Sequence, residues 1–518
     1  MVVIEALQKE LLQEIEGFRA VGHQFRNREI NAAEFKAKSG GMGVYAQRGG
    51  EQFMIRLRTP SGIISHEHWS LISSYVRQYG LDRIHLTTRQ AVQLHDLGID
   101  QVCDIMKNAI VHGLFTRGGG GNYPRNVALS PLSGVARGET FDPTPYALAA
   151  GRYLLRRITG YKLPRKLKIA FSNTMEDTAN STLNDLGFVA SSHNGKPCFL
   201  VYLAGGMGGG PAVGIPFGEP VPPEETLCHV EAVTRLFIAE GNYENKAQAR
   251  LRFVPRRMGE AAFLACYRTY LDQVKQELSD RCPAPVPAAA DEWEPQIPAG
   301  SRRIAQRQKG RYTVELHPLC GQLEAADLSA LRDFIADKPQ AELRSSMEES
   351  LFVRNLSAGE ADALERKFAH LLVSPLAQSV TCIGVPTCQM GVEQSQLLCR
   401  AVVEAFRRHG APQDLLPPLH ISGCPNSCSR HQVNALGFAG RKKRVGDQTV
   451  DVFELYAGGS HAVGETRMGE CYGAIPADQV PAFLLELAKQ LQRTGLSAQD
   501  YLARHPADFR ALAESFAV

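Results

Sequence analysis

Two halves of this chain repeat each other, and that duplication restricts the possible folds more than any other feature of the sequence. Leu163-Pro164 to Asn173 matches Leu416-Pro417 to Asn426 at an offset of 253 positions. Leu186-Gly187-Phe188 recurs as Leu436-Gly437-Phe438 at an offset of 250. Tyr202 to Gly206 recurs as Tyr456 to Gly459, and Phe53 to Gly62 is echoed by Tyr312 to Gly321 at an offset of 259. Four segments in the same order at nearly one offset read as a fused, diverged duplication with an approximate two-fold axis. Each copy alternates strand-like and helix-like text, so the expected class is α+β, with mixed or antiparallel sheets and helices packed outside. The Pro/Ala-rich stretch from Cys282 to Ala290, followed by Pro295 and Pro298, reads as an extended linker between the copies.

Within the first copy, Gly40-Gly41-Met42-Gly43 is expected to break an amphipathic helical N-terminus. Phe53 to Arg58 alternates apolar and basic residues, as a strand with one basic face does. Residues 66–79, 100–112 and 145–159 have helical spacing, and 84–95 reads as a second strand region. Leu163 to Ala170 reads as the start of a further strand, with Lys166 and Lys168 on one face.

The second copy carries the feature that points to chemistry. Cys382 and Cys388 form a Cys-x5-Cys pair, and Cys424 and Cys428 form a Cys-x3-Cys pair, each in a loop of small residues and proline. Such loops leave sulfur and backbone N–H groups free to surround a ligand, and four thiolates suit an iron–sulfur cluster. Structural zinc prefers tighter knuckles, and a chain with no secretory signal is not expected to carry disulfides. Cys103, Cys228, Cys266 and Cys399 sit instead in apolar helical text and read as core residues.

The first copy carries cations in the corresponding region. Arg56, Arg58, Arg89, Arg125, Arg165, Lys166 and Lys168 all fall in strand-end or loop positions. A lone Arg or Lys is usually a solvated surface charge. Like charges crowded together repel, however, and are tolerated where an anion neutralises them. Arginine offers a fork to carboxylates and oxyanions, and lysine a point charge with a transferable proton. The group therefore suits a polycarboxylate cofactor together with a small oxyanion. The run Gly118 to Gly121 lacks the spacing of a nucleotide fingerprint, and there is no Walker motif.

Composition sets outer bounds. A chain of 518 residues suggests about three domains. A formal net charge of +3 is too weak to argue for nucleic acid. No apolar run is long enough to span a bilayer, and the acidic first 20 residues look like neither a signal nor a transit peptide, so a cytoplasmic location is expected.

Taken together, Cys-x5-Cys, Gly-Cys-Pro-Asn-x-Cys and the upstream Arg-x-Arg, Thr-Arg-Gln and Pro-Arg-Lys-x-Lys resemble the sirohaem-containing sulfite and nitrite reductase family from Gly43 to about Gly459. The resemblance implies a ferredoxin-like domain built from residues 1–115 and 301–375, sirohaem-and-cluster domains at 116–282 and 376–518, and a linker at 283–300. It implies that Cys382, Cys388, Cys424 and Cys428 hold a 4Fe–4S cluster, with Cys428 also bridging to the sirohaem iron. Arg58, Arg125, Lys166 and Lys168 match the family's substrate-side cations. Arg56, Arg89, Gln93, His95 and Arg165 resemble sirohaem contacts, which Arg250, Arg252 and Asn426 would join. His85 departs from the family, where arginine is common. In the family the Lys168 position tends to be lysine in sulfite reductases and asparagine in plant-type nitrite reductases, which favours sulfite here. The Ser-Gly-Cys-Pro-Asn-Ser-Cys run, by contrast, reads like nitrite-reducing members. There is no flavin or pyridine-nucleotide motif and no inserted eight-iron ferredoxin domain, so electrons are expected from a ferredoxin or a separate flavoprotein, delivered to a monomer. A non-catalytic iron–sulfur scaffold or sensor is the remaining reading, and the cation set argues against it.

Overall fold

The computed structural model describes residues 2–288, 293–298 and 301–518, so 289–292 and 299–300 of the expected linker lie outside the described residues. The chain divides into two compact units: 1–206 with 212–316 and 323–368, and 207–211 with 317–322 and 369–518.

The first unit holds three five-stranded sheets. One has the order Val44–Ala46, Phe53–Arg58, Ala91–Leu97, Arg83–Leu86, Gln322–Glu324. A second has the order Arg303–Ala305, Tyr312–Leu316, Leu351–Leu356, Glu342–Ser345, Ile63–Ile64. The two have exchanged edge strands: Ile63 and Ile64 pair with Arg344 and Leu343 in the second sheet, while Leu323 and Glu324 run along the edge of the first. Each exchange follows a one-turn 3-10 helix with a non-glycine residue at positive φ, Ser61 at 49° and Cys320 at 60°. Those positions are 259 apart, as are Gln90 and Glu349, and Asp96 and Asn355, which also have positive φ. The duplication is therefore visible in the backbone.

The third sheet of this unit runs Ile215–Pro216, Lys196–Leu203, Leu186–His193, Ile169–Ser172, Ala128–Leu129. Its last three strands are parallel and the rest antiparallel, so the sheet is mixed as expected. Phe171, Phe188 and Phe199 from the sheet and Phe237, Phe263 and Tyr267 from helices Thr226–Glu240 and Glu260–Glu277 are completely buried in one core. Burying side chains of this size, at about 1.5–3 kcal/mol each, is what holds helices to sheet.

The second unit repeats that plan. Its sheet runs Val380–Thr381, His420–Ser422, Leu436–Val445, Gln448–Ala457, Glu470–Pro476, with the first three strands parallel. Helices Ser395–Arg408 and Val480–Thr494 cover it through Phe406 and Phe483.

Three expectations need correction. The helix at Ala32–Met42, capped by Asn31 and Glu34, runs through Gly40 and Gly41 and ends only at Gly43, whose φ is 80°. The internal glycines serve close approach instead: a Cβ on Gly41 would stand 2.5 Å from the Arg117 guanidinium and 2.7 Å from the Tyr123 ring. Lys166-Leu167-Lys168 is not a strand. Leu167 makes a single bridge to Pro124, and the strand begins at Ile169, because Pro164 and a neighbouring loop rather than another strand flank the segment. Finally, the turns after Ile169–Ser172 and His420–Ser422 correspond at an offset of 250, not 253, since Asp177 and Asn180 share their positive φ with Ser427 and Arg430. Asn173 is thus the counterpart of Gly423.

Candidate functional site

In the first unit three of the expected cations, Arg56, Arg58 and Arg125, gather around the loop Gly118–Gly121. Arg56 and Arg58 alternate on Phe53–Arg58 and so share a face. Arg56 Nη1 donates to Gly119 O, and Arg58 Nη1 to Arg117 O at 2.6 Å. Arg125 threads the same loop, donating to Gly120 O at 2.6 Å and to Gly121 O at 2.8 Å. Gly120 has to be glycine, because a Cβ there would stand 2.2 Å from the Tyr45 hydroxyl and 2.3 Å from Gly40 O. These guanidinium groups are held by carbonyl dipoles, which leave their full charges in place. Burial lowers Arg58 to about 10 and Arg125 to about 9, the latter helped by the charges of Arg56, Arg58 and Arg250.

A carboxylate, Asp185, enters this group. Asp185 is fully buried and accepts from Arg250 Nη2 at 3.0 Å on both oxygens, and from the Lys168 backbone N at 2.7 Å. Arg252 is also buried, and burial followed by the Arg250 charge lowers it to about 10. Arg165, Lys166 and Lys168 are half-buried. Arg89 uses every nitrogen of its guanidinium on the protein, at Asn126 O, Asn184 Oδ1 and Ile169 O. It ties its turn to the third sheet.

On the facing strand, Gln93 and His95 line up beside Arg56. With its amide oxygen turned toward it, Gln93 accepts from Arg56 Nε at 3.0 Å and Nη2 at 2.6 Å. Both ring nitrogens of His95 are buried without a hydrogen-bond partner among the described residues. Burial and then the charges of Arg56 and Arg83 lower it to about 3, so it is neutral. Buried polar atoms without partners are rare and signal a missing ligand. Buried guanidinium groups next to an unsatisfied imidazole fit a polycarboxylate macrocycle.

In the second unit the two cysteine loops leave the C-terminal ends of adjacent parallel strands, with Val380 opposite His420 and Thr381 opposite Ile421. Cys382 Sγ accepts from Gly423 N at 3.1 Å, and its carbonyl accepts from Ser395 Oγ at 2.6 Å. Asn426 donates its amide to Cys424 Sγ at 3.4 Å. All four cysteines are free of disulfides. Burial pushes Cys382 up to about 12, and negative charge on Cys428 and Cys424 adds to that. Cys424 is raised by burial and by Cys428 and Cys388. The thiols thus lie within electrostatic reach of one another, in an arrangement that repels its own thiolates until metal neutralises them. Among the described residues no three such side chains converge on a single metal ion. A four-iron cluster places each thiolate on a separate iron, so its ligands need not converge. The cradle fits the cluster.

Sequence reading missed Asp185 and Ser395. A buried aspartate next to Leu186-Gly187-Phe188 looks in sequence like any other acid, and its importance comes from Arg250, 65 residues away.

Residues 45–109 match the nitrite/sulfite reductase ferredoxin-like half domain, and residues 120–275 match the nitrite and sulphite reductase 4Fe-4S domain. The chain belongs to the nitrite and sulphite reductase family. Membership implies a 4Fe–4S cluster and sirohaem as cofactors and makes the chain an oxidoreductase. Among its relatives are the ferredoxin–nitrite reductase of Synechococcus elongatus, 27% identical over 87% of this chain and 88% of that one, and sulfite reductase [ferredoxin] 1 of Mycolicibacterium paratuberculosis, 28% identical over 79% and 73%. The solved structure of the Mycobacterium tuberculosis NirA protein has the same fold, with a TM-score of 0.81 at 23% identity, covering 98% of this chain and 97% of that one. Among the described residues no helix is long and apolar enough to cross a membrane.

Proposed function

We propose that the chain reduces sulfite to sulfide in a six-electron reaction, with electrons from a ferredoxin; reduction of nitrite to ammonia by the same residues is the second reading. The observation that carries this is the buried pair of cations Arg58 and Arg125, held by loop carbonyls, in a chain that also holds a four-thiol cradle. Relatives of both names lie at nearly equal identity, so the choice of sulfite rests on Lys168.

Cys382, Cys388, Cys424 and Cys428 would hold the cluster, and Cys428, exposed on its turn, would also be the thiolate offered to the sirohaem. Arg56, Gln93, His95, Arg165, Arg250 and Arg252 are the cofactor-side polar groups, while Arg89 and Asn426 act on the protein's own atoms. When bound, the two cofactors supply electrons and the iron site at which S–O or N–O bonds are cleaved. Arg58 and Arg125, fixed by loop carbonyls, bind and orient the oxyanion without reorganising. Lys166 and Lys168 hold protons at Nζ for the oxygens that leave as water, and the Asp185 contact to Lys168 N keeps that backbone in place.

The purified holoprotein should show tetrapyrrole bands and turn over sulfite faster than nitrite with a reduced dye. Lys168→Met should keep the visible spectrum and slow sulfite turnover at least tenfold, since positioned proton donors contribute about 10²–10⁴. An unchanged rate removes Lys168 from the mechanism, and a faster nitrite reaction selects the second reading.

A further inference from the structure

The two copies hold the same turn in two electrostatic forms. In the first copy the segment 173–183 reads Asn-Thr-Met-Glu-Asp-Thr-Ala-Asn-Ser-Thr-Leu, and in the second, 423–433 reads Gly-Cys-Pro-Asn-Ser-Cys-Ser-Arg-His-Gln-Val. The backbone is the same. Asn180 N donates to Asp177 O and Arg430 N to Ser427 O; Leu183 N donates to Asn180 O and Val433 N to Arg430 O. Asn184 Nδ2 caps Asn180 O as Asn434 Nδ2 caps Arg430 O. The glycines behind both turns have no room for a Cβ, which would stand 2.0 Å from Ser181 O at Gly187 and 1.8 Å from His431 O at Gly437.

The contacts at the mouth of the turn correspond as well. Asn173 N reaches Ser130 Oγ at 3.4 Å where Gly423 N reaches Cys382 Sγ at 3.1 Å. Ser130, Thr174 and Thr178 thus occupy the places of Cys382, Cys424 and Cys428, and Thr178 Oγ1 donates to Ser130 Oγ at 2.6 Å. The first copy is an internal control: the same scaffold with hydroxyls in place of thiols.

Charge separates the two. The first turn contains Glu176 and Asp177 and no cation; the second contains Arg430 and no carboxylate. The buried part of this change is Asp177 to Ser427 and Asn180 to Arg430, all four residues being at most 5% exposed. Asp177 accepts from Ser172 Oγ, Ser181 N, Thr182 N and Thr182 Oγ1. In the second copy Ser427 Oγ has no hydrogen-bond partner among the described residues, and His431 Nδ1 and Ser429 Oγ have taken over Ser422 Oγ. A buried carboxylate satisfied by four donors is a sound structural device, so its loss calls for a reason. Burying an arginine is costly and calls for one too. The turn's shape is not the reason, because both forms give the same shape. The ligand that differs between them is a set of thiolates.

We infer that this buried charge inversion sets the reduction potential of the cluster held by the second turn, with Ser427 and Arg430 as the positioning residues that act on it through Cys428. The inference rests on the proposed cysteine ligation. Net charge around an iron–sulfur cluster is one of the protein's levers on its potential, and electron uptake makes the cluster more negative. A neighbouring cation favours the reduced form, and a buried carboxylate disfavours it.

The test grafts the first turn's charges onto the second. Ser427→Asp/Arg430→Asn in the holoenzyme should lower the reduced-to-oxidised ratio of the cluster, read by EPR at the wild-type midpoint, at least tenfold, a shift of about 59 mV for one electron. Arg430→Lys should stay within twofold of wild type. If the double variant fails to load its cluster, Arg430→Gln alone decides, with at least a threefold drop expected. A change below twofold at full iron and sulfide content in the deciding variant overturns the inference. A wild-type chain with no iron–sulfur signal instead overturns the proposed function beneath it.

Discussion

Asp185 and Arg250 form a buried ion pair whose removal should be costly from either side and much less costly from both. Arg250 has 7% of its side chain exposed and Asp185 none. Asp185→Asn preserves shape but leaves the Arg250 charge buried next to Arg252 and within reach of Arg125, which already feel its repulsion. Breaking a buried pair in this way costs about 3–5 kcal/mol, because the remaining charge keeps its full desolvation penalty. Arg250→Met leaves Asp185 with only the Lys168 N–H among these contacts and should cost a similar amount. In Asp185→Asn/Arg250→Met no charge remains, so the double variant should be more stable than the sum of the singles by about 2 kcal/mol or more. Urea unfolding of the four proteins gives the cycle. Because Asp185 also anchors the Lys168 backbone, Asp185→Asn should raise the KM for the oxyanion while Arg250→Met does so less. A loss under 1 kcal/mol for Asp185→Asn, or strict additivity in the double variant, would refute the reasoning.

Two further outcomes follow from the first unit. Glu139 is almost fully buried, accepts from Gly134 N and Asn173 Nδ2, and is pushed up by burial from 4.5 to about 7. The folded state therefore binds the proton more tightly than the unfolded one, so the stability it contributes is complete below about 4.5 and declines as pH rises to about 7, by about 3 kcal/mol in all. Glu139→Gln should flatten that part of the stability–pH curve in urea titrations, and an unchanged slope would show that Glu139 ionises freely. Gly120→Ala forces a Cβ against Tyr45 and Gly40 and displaces the carbonyl that holds Arg125, so it should cost about 1–3 kcal/mol and raise the oxyanion KM at least tenfold in steady-state assays.

Much of the site was legible in the sequence where chemistry is local. Cys-x5-Cys and Cys-x3-Cys name a thiolate set by spacing alone, and the pattern Arg56-Leu57-Arg58 placed two cations on one strand face, where they lie. Reading failed where neighbours decide. Lys166-Leu167-Lys168 has strand-like alternation but only a single bridge to Pro124, so no strand forms there. Gly40 and Gly41 look like helix breakers, yet their helix continues to Met42, and the absent side chain of Gly41 leaves room for Arg117 and Tyr123. The match of Asn173 to Asn426 was a likeness of letters, and the positive φ values shifted the register by three.

The amino-acid sequence by itself determined the duplication and the α+β class, because both are written in the order and spacing of segments along the chain, and it supplied the four cysteines proposed as ligands. Only the tertiary structure decided which partners the buried cations meet. Asp185 is set against Arg250, and Arg89 against Asn126, Asn184 and Ile169. Burial and counter-charge come from segments tens of residues away, and no local pattern encodes which of them will meet.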